Sequence, residues 1–293
     1  MANGRPSAGG CDNADLLVVQ GFGEEWTRFP QDRLPPAERR RLFEAYFAVF
    51  PWHRIDAGHA VGADIGCGSG RWALEAAGRC HALHLIDASA EALKVAQRNL
   101  AAAGVGNAIF HHASVDKLPF ADGSLDFAYS LGVLHHVPDT AGATAAVAAK
   151  LKPGAPLLLY LYYSFENRPL WFRMLWRASD LMRAAISRLP FKPRLALSQI
   201  LALLIYWPLA RSAALLDRLG RLPAAWPLRE YRDKSLYTMR TDALDRFGTR
   251  LEQRFNRAEI ETMMARAGLE AICFSEAPPY WCACGLKRAD TRP

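Results

Sequence analysis

The sequence predicts an α/β protein with a doubly wound parallel sheet, and three features of the chain predict it. Short apolar stretches alternate with helical stretches between residues 58 and 163, the order that builds parallel strands with helices on both faces. A turn with three glycines follows the first apolar stretch, and an acidic residue ends the second. Ligands of such folds bind at the carboxyl ends of the strands, so the turn and the acid predict a binding site there.

The composition indicates a globular chain with a substantial core. Of the 293 residues, 51% are hydrophobic and 22% are charged, which excludes a disordered or fibrous protein. Residues 1–14 are small and polar, so they predict a disordered tail and not a secretion signal. Six cysteines without a C-x-x-C pair predict buried thiols and no zinc site. These features together predict a cytoplasmic protein.

The net charge of +7 is concentrated in one segment. Residues 165–257 hold 18 Lys and Arg against 8 Asp and Glu, a net charge of +10, whereas the rest of the chain carries −3. The basic character therefore belongs to this segment and not to the predicted sheet. This positive charge is relevant to which partner the segment binds, for example an anionic lipid or a nucleic acid.

An aromatic region precedes the first predicted strand. A segment containing Gly23 and Trp26 leads to a helix predicted from about Pro36 to Phe50, with proline at its start and acid in its first turn. Aromatic residues recur along this helix at helical spacing. They fit an apolar face packed on the core, and they also fit a cover over a bound ligand.

The glycine turn carries the most information about the ligand. Residues 60–65 predict a buried strand, the three glycines between 66 and 70 a tight turn, and Arg71 to Gly78 a helix. Such a turn directs backbone N–H groups and a helix dipole at a polar ligand. The spacing is G-x-G-x-G, not the G-x-G-x-x-G of dinucleotide binding, and Asp64 suits an ammonium group better than a pyrophosphate. A nicotinamide-dependent oxidoreductase is therefore disfavoured.

Further strands follow in order along the chain. The second, at residues 82–86, ends at Asp87, whose carboxylate either accepts both hydroxyls of a ribose or caps the next helix. A third strand is predicted at residues 108–112, a fourth at 125–132 and a fifth at 156–163. The intervening stretches are rich in alanine and predict helices.

These motifs resemble those of the class I S-adenosylmethionine (SAM)-dependent methyltransferases. The acid and glycine turn are similar to their motif I, and S-x-G-V-L-H-H at 130–136 resembles the type 11 subgroup that includes the ubiquinone and menaquinone methyltransferases. L-K-P-G at 151–154 and R-F-x-x-x-E-I from Arg254 fit the same pattern. The resemblance covers residues 58–163 and 255–288, and it implies a seven-stranded, Rossmann-like sheet with a helical insertion after strand 5.

The resemblance also implies a division of the chain. Residues 1–57 form an N-terminal tail and cover helix, 58–164 the SAM-binding core, 165–254 a helical lid or substrate insertion, and 255–293 the completion of the sheet. The insertion is far longer than an ordinary connecting loop.

Individual roles follow from the resemblance. The residues expected to bind SAM are Asp64, Gly66, Cys67, Gly68, Asp87, Ala88, Ser114, Val115, Ser130 and Leu131. The candidates for proton transfer are His136 and Tyr163, and those for contact with the acceptor are Trp26, His135, Tyr162 and Trp171. A structural role for the two histidines stays open, because adjacent histidines cannot both point into one site from a strand. No metal site is expected, because the sequence offers no third ligand beside the two histidines.

The basic, aromatic insertion has three interpretations. It is a lid over an apolar acceptor, an interfacial element on anionic lipid, or a nucleic-acid surface. Its uncharged run from 195 to 210 has 16 residues, short of the roughly 20 that cross a bilayer, so a transmembrane helix is not expected.

The sequence thus predicts a SAM-dependent methyltransferase that leaves S-adenosylhomocysteine (SAH) as product. The predicted acceptor is a hydrophobic small molecule, aromatic or polyketide- or quinone-like, methylated at oxygen or carbon. A tRNA-modifying methyltransferase and a non-catalytic SAM-binding partner module are the alternatives. The predicted location is the cytoplasm, with contact to the inner membrane face through the insertion left open. The acceptor, the methylated atom and the oligomeric state do not follow from the sequence.

Overall fold

A seven-stranded sheet runs through the computed structural model, which describes residues 13–289. The strands lie in the order β3-β2-β1-β4-β5-β7-β6. They are β1 (Val61–Ile65), β2 (Ala82–Asp87), β3 (Ala108–His112), β4 (Phe127–Leu131), β5 (Pro156–Tyr160), β6 (Leu269–Phe274) and β7 (Cys282–Lys287). The first five are parallel, and β7 lies antiparallel between β5 and β6. The fold is the Rossmann-like one that the sequence predicts.

Helices cover both faces of the sheet because its strands are apolar on both sides. They are α1 (Leu16–Arg28), α2 (Pro36–Tyr46), α3 (Ala73–Ala76), α4 (Ala90–Ala102), α5 (Thr140–Ala149), α6 (Leu170–Ile186), α7 (Phe191–Leu201), α8 (Trp207–Arg218), α9 (Leu236–Gly248) and α10 (Arg257–Arg266). Leu157 and Leu159 of β5 pack with α5 and α10, whereas Leu158 packs with α2, α3 and α4. Burial on both faces is usual for parallel strands.

Some elements differ from the sequence prediction. The helix after the glycine turn is only α3, four residues long, followed by a 3-10 turn at Ala77–Arg79. Helix α1 was not predicted; it begins at Asp15, whose carboxylate accepts from the N–H groups of Leu17 and Val18. The predicted disordered tail falls almost wholly on residues 1–12, outside the described residues.

Four helices, α6 to α9, lie between β5 and α10. A π-helical turn at Ala202–Tyr206 joins α7 to α8, so Phe191–Arg218 forms one helical run of 28 residues. By length and composition alone this run is apolar enough to cross a membrane, with 22% of its most apolar window buried in the protein. The uncharged part of this run is the 16-residue stretch 195–210 that the sequence shows, and one helix of this kind is weak evidence for a membrane span. One face of the run is buried, at Arg194, Ser198, Ala202, Tyr206, Ala210 and Ala213, and α7 packs on α9.

The opposite face of this run, together with the outer face of α6, is apolar and exposed. We call this surface the apolar ridge. Its residues are Leu170, Trp171, Met174, Leu175 and Leu181 on α6, and Ile200, Leu203, Leu204, Ile205, Trp207 and Leu215 on the run from α7 to α8. Most of the large hydrophobic side chains that are exposed in the described chain lie in this part of the molecule. Exposed apolar side chains concentrated in one part of a molecule in this way mark a contact site.

Candidate active site

The glycine turn has no room for side chains. Gly66, Gly68 and Gly70 all have positive φ, at +76°, +53° and +73°. A Cβ atom on Gly66 would lie 2.4 Å from Cγ1 of Val133, and one on Gly68 would lie 2.8 Å from the indole of Trp26. The turn is therefore held between α1 on one side and the loop after β4 on the other, so only glycine fits.

The backbone N–H groups of the turn are used inside the protein. Those of Gly66 and Cys67 donate to the carbonyl of Ile86, at 2.8 and 3.0 Å, and that of Gly68 donates to Oδ2 of Asp87 at 2.8 Å. The N–H groups of Gly66, Cys67 and Gly68 are therefore not free for a ligand, and α3, with four residues, is a short source of a helix dipole. These hydrogen bonds attach the turn to the end of β2.

Asp87 is oriented by two backbone donors. Besides Gly68, the N–H of Ser89 donates to its Oδ1 at 2.8 Å. Ser89, not Asp87, is the N-cap of α4, so capping does not occupy Asp87. Burial raises the pKa of its carboxyl group. Each carboxylate oxygen can accept a second hydrogen bond, which leaves Asp87 able to bind hydroxyl donors.

One cavity of about 1150 Å³ lies above the carboxyl ends of β1, β2, β4 and β5. Eight of the ten residues expected to bind SAM are on its wall: Gly66, Cys67, Gly68, Asp87, Ala88, Ser114, Val115 and Leu131. The other two lie behind the wall. Asp64 accepts a hydrogen bond of 3.1 Å at Oδ2 from the hydroxyl of Tyr129, and burial raises its pKa to about 8. Ser130 donates to the carbonyl of Ile65 at 2.9 Å.

The other end of the cavity is aromatic. Of the residues expected near the acceptor or in proton transfer, Trp26, His136, Tyr162 and Tyr163 line the cavity. Trp171 does not, because it lies on the exposed outer face of α6 in the apolar ridge, whereas Phe172 and Trp176 face inward. The expected contact between Trp171 and the acceptor is therefore corrected: α6 presents other aromatic residues to the cavity.

His136 has one ring nitrogen fixed and the other free. Its side chain is 3% exposed and packs against Phe22 of α1, with ring centroids 5.0 Å apart. Nδ1 lies 2.7 Å from the carbonyl of Leu251, which can only accept, so Nδ1 carries the proton and Nε2 the lone pair. Nε2 has no hydrogen-bond partner among residues 13–289 and lies 4.0 Å from Oδ1 of Asp245. Burial lowers the pKa of His136, which keeps the ring neutral.

His135 is buried away from the cavity. Its ring is fully enclosed and stacks on Tyr162 with centroids 3.8 Å apart. Neither ring nitrogen has a hydrogen-bond partner, and burial lowers its pKa well below the usual value. The expected contact of His135 with the acceptor is thus replaced by support of Tyr162 from behind.

Several cavity residues were missed from the sequence. Glu25 of α1 and Asp245 of α9 are both on the wall, as are Tyr46, Arg71 and Trp176. Tyr162 donates to Oδ2 of Asp245, and burial raises the pKa of this carboxyl group. Asp242 and Asp245 stand one helical turn apart on α9, a spacing that would have indicated one shared face. Within residues 13–289, no group of His, Cys, Asp and Glu side chains is arranged to hold a metal ion.

The strand order, the glycine turn and the acid at the end of β2 define a class I SAM-dependent methyltransferase fold. Residues 63–154 match the methyltransferase domain family. A structure of an O-methyltransferase family protein from Burkholderia thailandensis aligns with a TM-score of 0.52 at 13% identity, covering 92% of this chain and 59% of that one. This similarity shows the fold alone.

Sequence relatives agree with the class. The chain is 35% identical to a ubiquinone biosynthesis O-methyltransferase of Burkholderia ambifaria over 165 residues, which are 54% of this chain and 66% of the relative. It is 34% identical over 99 residues to an O-methyltransferase of Aspergillus nomiae, covering 33% of this chain and 44% of that one. The match thus spans just under two thirds of the first relative and less than half of the second. Residues 63–154 are therefore a methyltransferase domain of the SAM-dependent class, and SAM is the cofactor of this domain.

Proposed function

We propose that the protein transfers the methyl group of SAM to a hydroxyl oxygen of a hydrophobic, aromatic or quinone-like small molecule. The observation that carries the proposal is one cavity of about 1150 Å³ that is shared by the residues expected to bind SAM at one end and by aromatic side chains at the other. Ligand pockets usually measure about 300–1,000 Å³, so this one has room for a cofactor and an acceptor together. The names of the relatives support oxygen as the methylated atom.

SAM supplies an electrophilic methyl group on a sulfonium that leaves as the neutral thioether SAH. The protein's part is to hold the acceptor in line with that group and away from water. Trp26, lying against Gly68, and Tyr162, stacked on His135, are rigid walls for this purpose. Asp87 would bind the ribose hydroxyls through its remaining lone pairs.

In this mechanism His136 accepts the proton of the acceptor hydroxyl at Nε2. The hydrogen bond from Nδ1 to Leu251 presents the lone pair of Nε2, and Asp245 stands close enough to stabilise the charged ring that forms. Tyr162 holds Asp245 in place. Tyr163 fits this role less well, because its hydroxyl already accepts from Arg168 at 3.2 Å.

Nucleic acid is the weaker alternative for the acceptor. Many arginines of the basic segment are engaged inside the protein, since Arg183 pairs with Asp180, Arg194 with Glu24, and Arg246 and Arg254 with Glu252. Charge held in such pairs contributes little to phosphate binding. The exposed part of the segment is mainly apolar.

We also propose that the apolar ridge rests on an anionic membrane surface. Exposed cations lie beside it whose side chains make no ion pair within residues 13–289, at Arg173, Arg177, Lys192, Arg218 and Arg221. Apolar side chains flanked by cations are typical of helices that lie in the lipid interface. Leu175 and Ile205 belong both to the ridge and to the cavity wall, so an apolar acceptor would enter directly from the lipid. The protein would then be cytoplasmic and peripheral to the inner face.

The proposal is tested with methyl-labelled SAM, a small-molecule extract and total tRNA in one incubation. Label in an organic-soluble, alkali-stable product that hot hydriodic acid releases as methyl iodide supports methyl transfer to a small molecule at oxygen. Label confined to tRNA overturns the proposal in favour of the nucleic-acid alternative. SAM binding without any transfer favours a non-catalytic binding module and also overturns it.

A further inference from the structure

Glu25 is a buried carboxyl group without a partner. It lies on α1, is 4% exposed and forms part of the cavity wall. Its side chain makes no hydrogen bond and no ion pair with any residue between 13 and 289. Its neighbour Glu24, by contrast, is half-buried and pairs with Arg194 at 2.8 Å.

Leaving such a group without a partner costs free energy, because burial removes it from water. The nearby cations are mostly occupied elsewhere. Arg194 pairs with Glu24, Lys234 lies 3.6 Å from Asp242, and Arg246 lies 3.2 Å from Glu252. Arg71 is the exception: its guanidinium lies over the ring of Trp72 at 4.4 Å, beside the glycine turn at the cofactor end. The cavity wall therefore holds a carboxyl group that a ligand must satisfy.

Two further carboxyl groups lie on the same cavity wall, one of which, Asp242, is paired with Lys234. Asp242 and Asp245 of α9 line the same cavity and act electrostatically on Glu25. The unpartnered Nε2 of His136 lies 4.0 Å from Asp245, so a second buried polar atom there also awaits a ligand. Aromatic rings of Trp26, Tyr46 and Trp176 surround the same space. Aromatic faces and carboxylates together are the surroundings that suit an organic cation.

We propose that the carboxyl group of Glu25 binds a protonated amine carried by the acceptor, in the space between α1 and α9. The inference rests on the proposed function in one respect, namely that the acceptor occupies this cavity. It narrows the class of acceptor to an aromatic hydroxyl compound that carries a basic nitrogen. A neutral acceptor would leave Glu25 without a charged partner, and an acidic one would be repelled by Glu25 and Asp245.

Binding of the amine should change the protonation of Glu25. Burial raises the pKa of Glu25 well above its usual value, the charges of Asp245 and Asp242 raise it further, and Arg71 and Arg194 oppose this. Glu25 therefore holds its proton to higher pH in the free cavity than an exposed glutamate does. A bound cation favours the ionised form, so the proton is released on binding.

The experiment uses three probes of similar size on the protein saturated with SAH. They are tyramine, which is cationic, 4-hydroxyphenethyl alcohol, which is neutral, and 4-hydroxyphenylacetate, which is anionic. Calorimetric titrations at pH 6 in two buffers of different ionisation enthalpy give the affinity and the protons released. We expect tyramine to bind about tenfold more tightly than the alcohol, as a charged hydrogen bond implies, and to release protons.

Variants assign the effect to Glu25. Glu25→Gln should abolish both the preference and the proton release, whereas Glu24→Gln should keep both, because Glu24 faces Arg194 and not the cavity. Equal affinity for tyramine and the alcohol, or failure of all three probes to bind, would reject the inference. So would a Glu25→Gln variant that loses SAH affinity and retains the preference, because Glu25 would then bind the cofactor's ammonium group. The readout is binding, so an intact amine preference without methyl transfer would count against the proposed function only.

Discussion

His135 and His136 are adjacent in the same turn, yet their ring nitrogens have different surroundings. His136 has one nitrogen fixed by the Leu251 carbonyl and the other on the cavity side near Asp245. His135 has both nitrogens enclosed and its ring stacked on Tyr162. At the scale of single residues, the environment and not the residue type separates a candidate base from a supporting ring.

Replacing His136 with Gln should lower kcat by about 10² to 10⁴, the usual contribution of a general base, and leave SAH affinity nearly unchanged. The neutral ring is the active form, and burial lowers its pKa, so wild-type activity should fall on acidification only below the ordinary histidine value of about 6.5. The measurement is a pH profile of kcat, in which the variant should lack this acidic limb. His135→Asn is the comparison: it should lower the melting temperature and keep the limb. A limb that persists in His136→Gln would show that another group is the base.

Gly68 offers a test of the cofactor end. Gly68→Ala places a methyl group 2.8 Å from the indole of Trp26 in a backbone with φ of +53°, so Trp26 must move. We expect SAH affinity to fall by at least about tenfold, measured by calorimetry, because the walls of the cofactor end are displaced. Gly104→Ala is the control, since Gly104 has φ of +71° but no atom within 4 Å of the added methyl group. That variant should lose about 1 kcal/mol of stability and no affinity. An equal loss of affinity in both variants would contradict the steric explanation.

At the scale of elements, the run from α7 to α8 serves two surfaces at once. Its buried face carries small residues such as Ser198, Ala202 and Ala210, which let α9 approach. Its exposed face belongs to the apolar ridge. The π-helical turn at Ala202–Tyr206 adds residues within one turn and so shifts the phase of the two faces. One side of the helix thus closes the cavity while the other remains open to a partner.

A double variant, Leu203→Asp with Leu204→Asp, tests the ridge as a lipid contact. Both side chains are exposed, Leu204 at 72%, so the fold should keep its melting temperature. Binding to phosphatidylglycerol vesicles, measured by flotation, should fall by about tenfold or more, because two apolar side chains no longer enter the interface. Leu16→Asp with Leu17→Asp is the matched control, since these residues are equally exposed but lie on α1. Equal binding by the wild type and the ridge variant would reject the membrane contact.

At the scale of the whole molecule, the cavity brings together parts of the chain that are distant in sequence. Trp26 and Glu25 come from α1, the glycine turn from the loop after β1, and Asp245 from α9. Each contributes to the wall of the same space between the sheet and the helices. Buried carboxyl groups accumulate here, which links the stability of the free protein to pH.

Asp64 provides the clearest test of that linkage. Its folded pKa, about 8, lies above the usual value of about 3.9 for an unfolded chain, because it is buried behind the glycine turn. The stability that comes from the neutral form is complete below the unfolded pKa and is lost as pH rises towards 8. Asp64→Asn cannot ionise. Its stability should therefore decline less between pH 5 and pH 8 than that of the wild type, by on the order of a few kcal/mol in chemical denaturation without cofactor. Parallel stability curves for the two proteins would show that Asp64 is ionised in the folded state.

Local patterns in the sequence are sufficient to predict the sheet, the glycine turn and the acid that ends β2. These follow from local patterns: apolar strands of about five residues, glycines at 66, 68 and 70, and Asp87 at the end of a strand. The polar residues of such a turn lie close together because they are close in the chain, so spacing alone predicts them.

Only the tertiary structure decided what surrounds the acceptor. Glu25 and Asp245 are 220 residues apart, and no local pattern relates them. The hydrophobic pattern of α6 does not tell which of Trp171 and Phe172 faces the cavity, because both faces of that helix are apolar. Likewise, α3 has only four residues because the chain turns at Ala77–Arg79. Contacts between distant segments are set by packing, and packing depends on all the segments together.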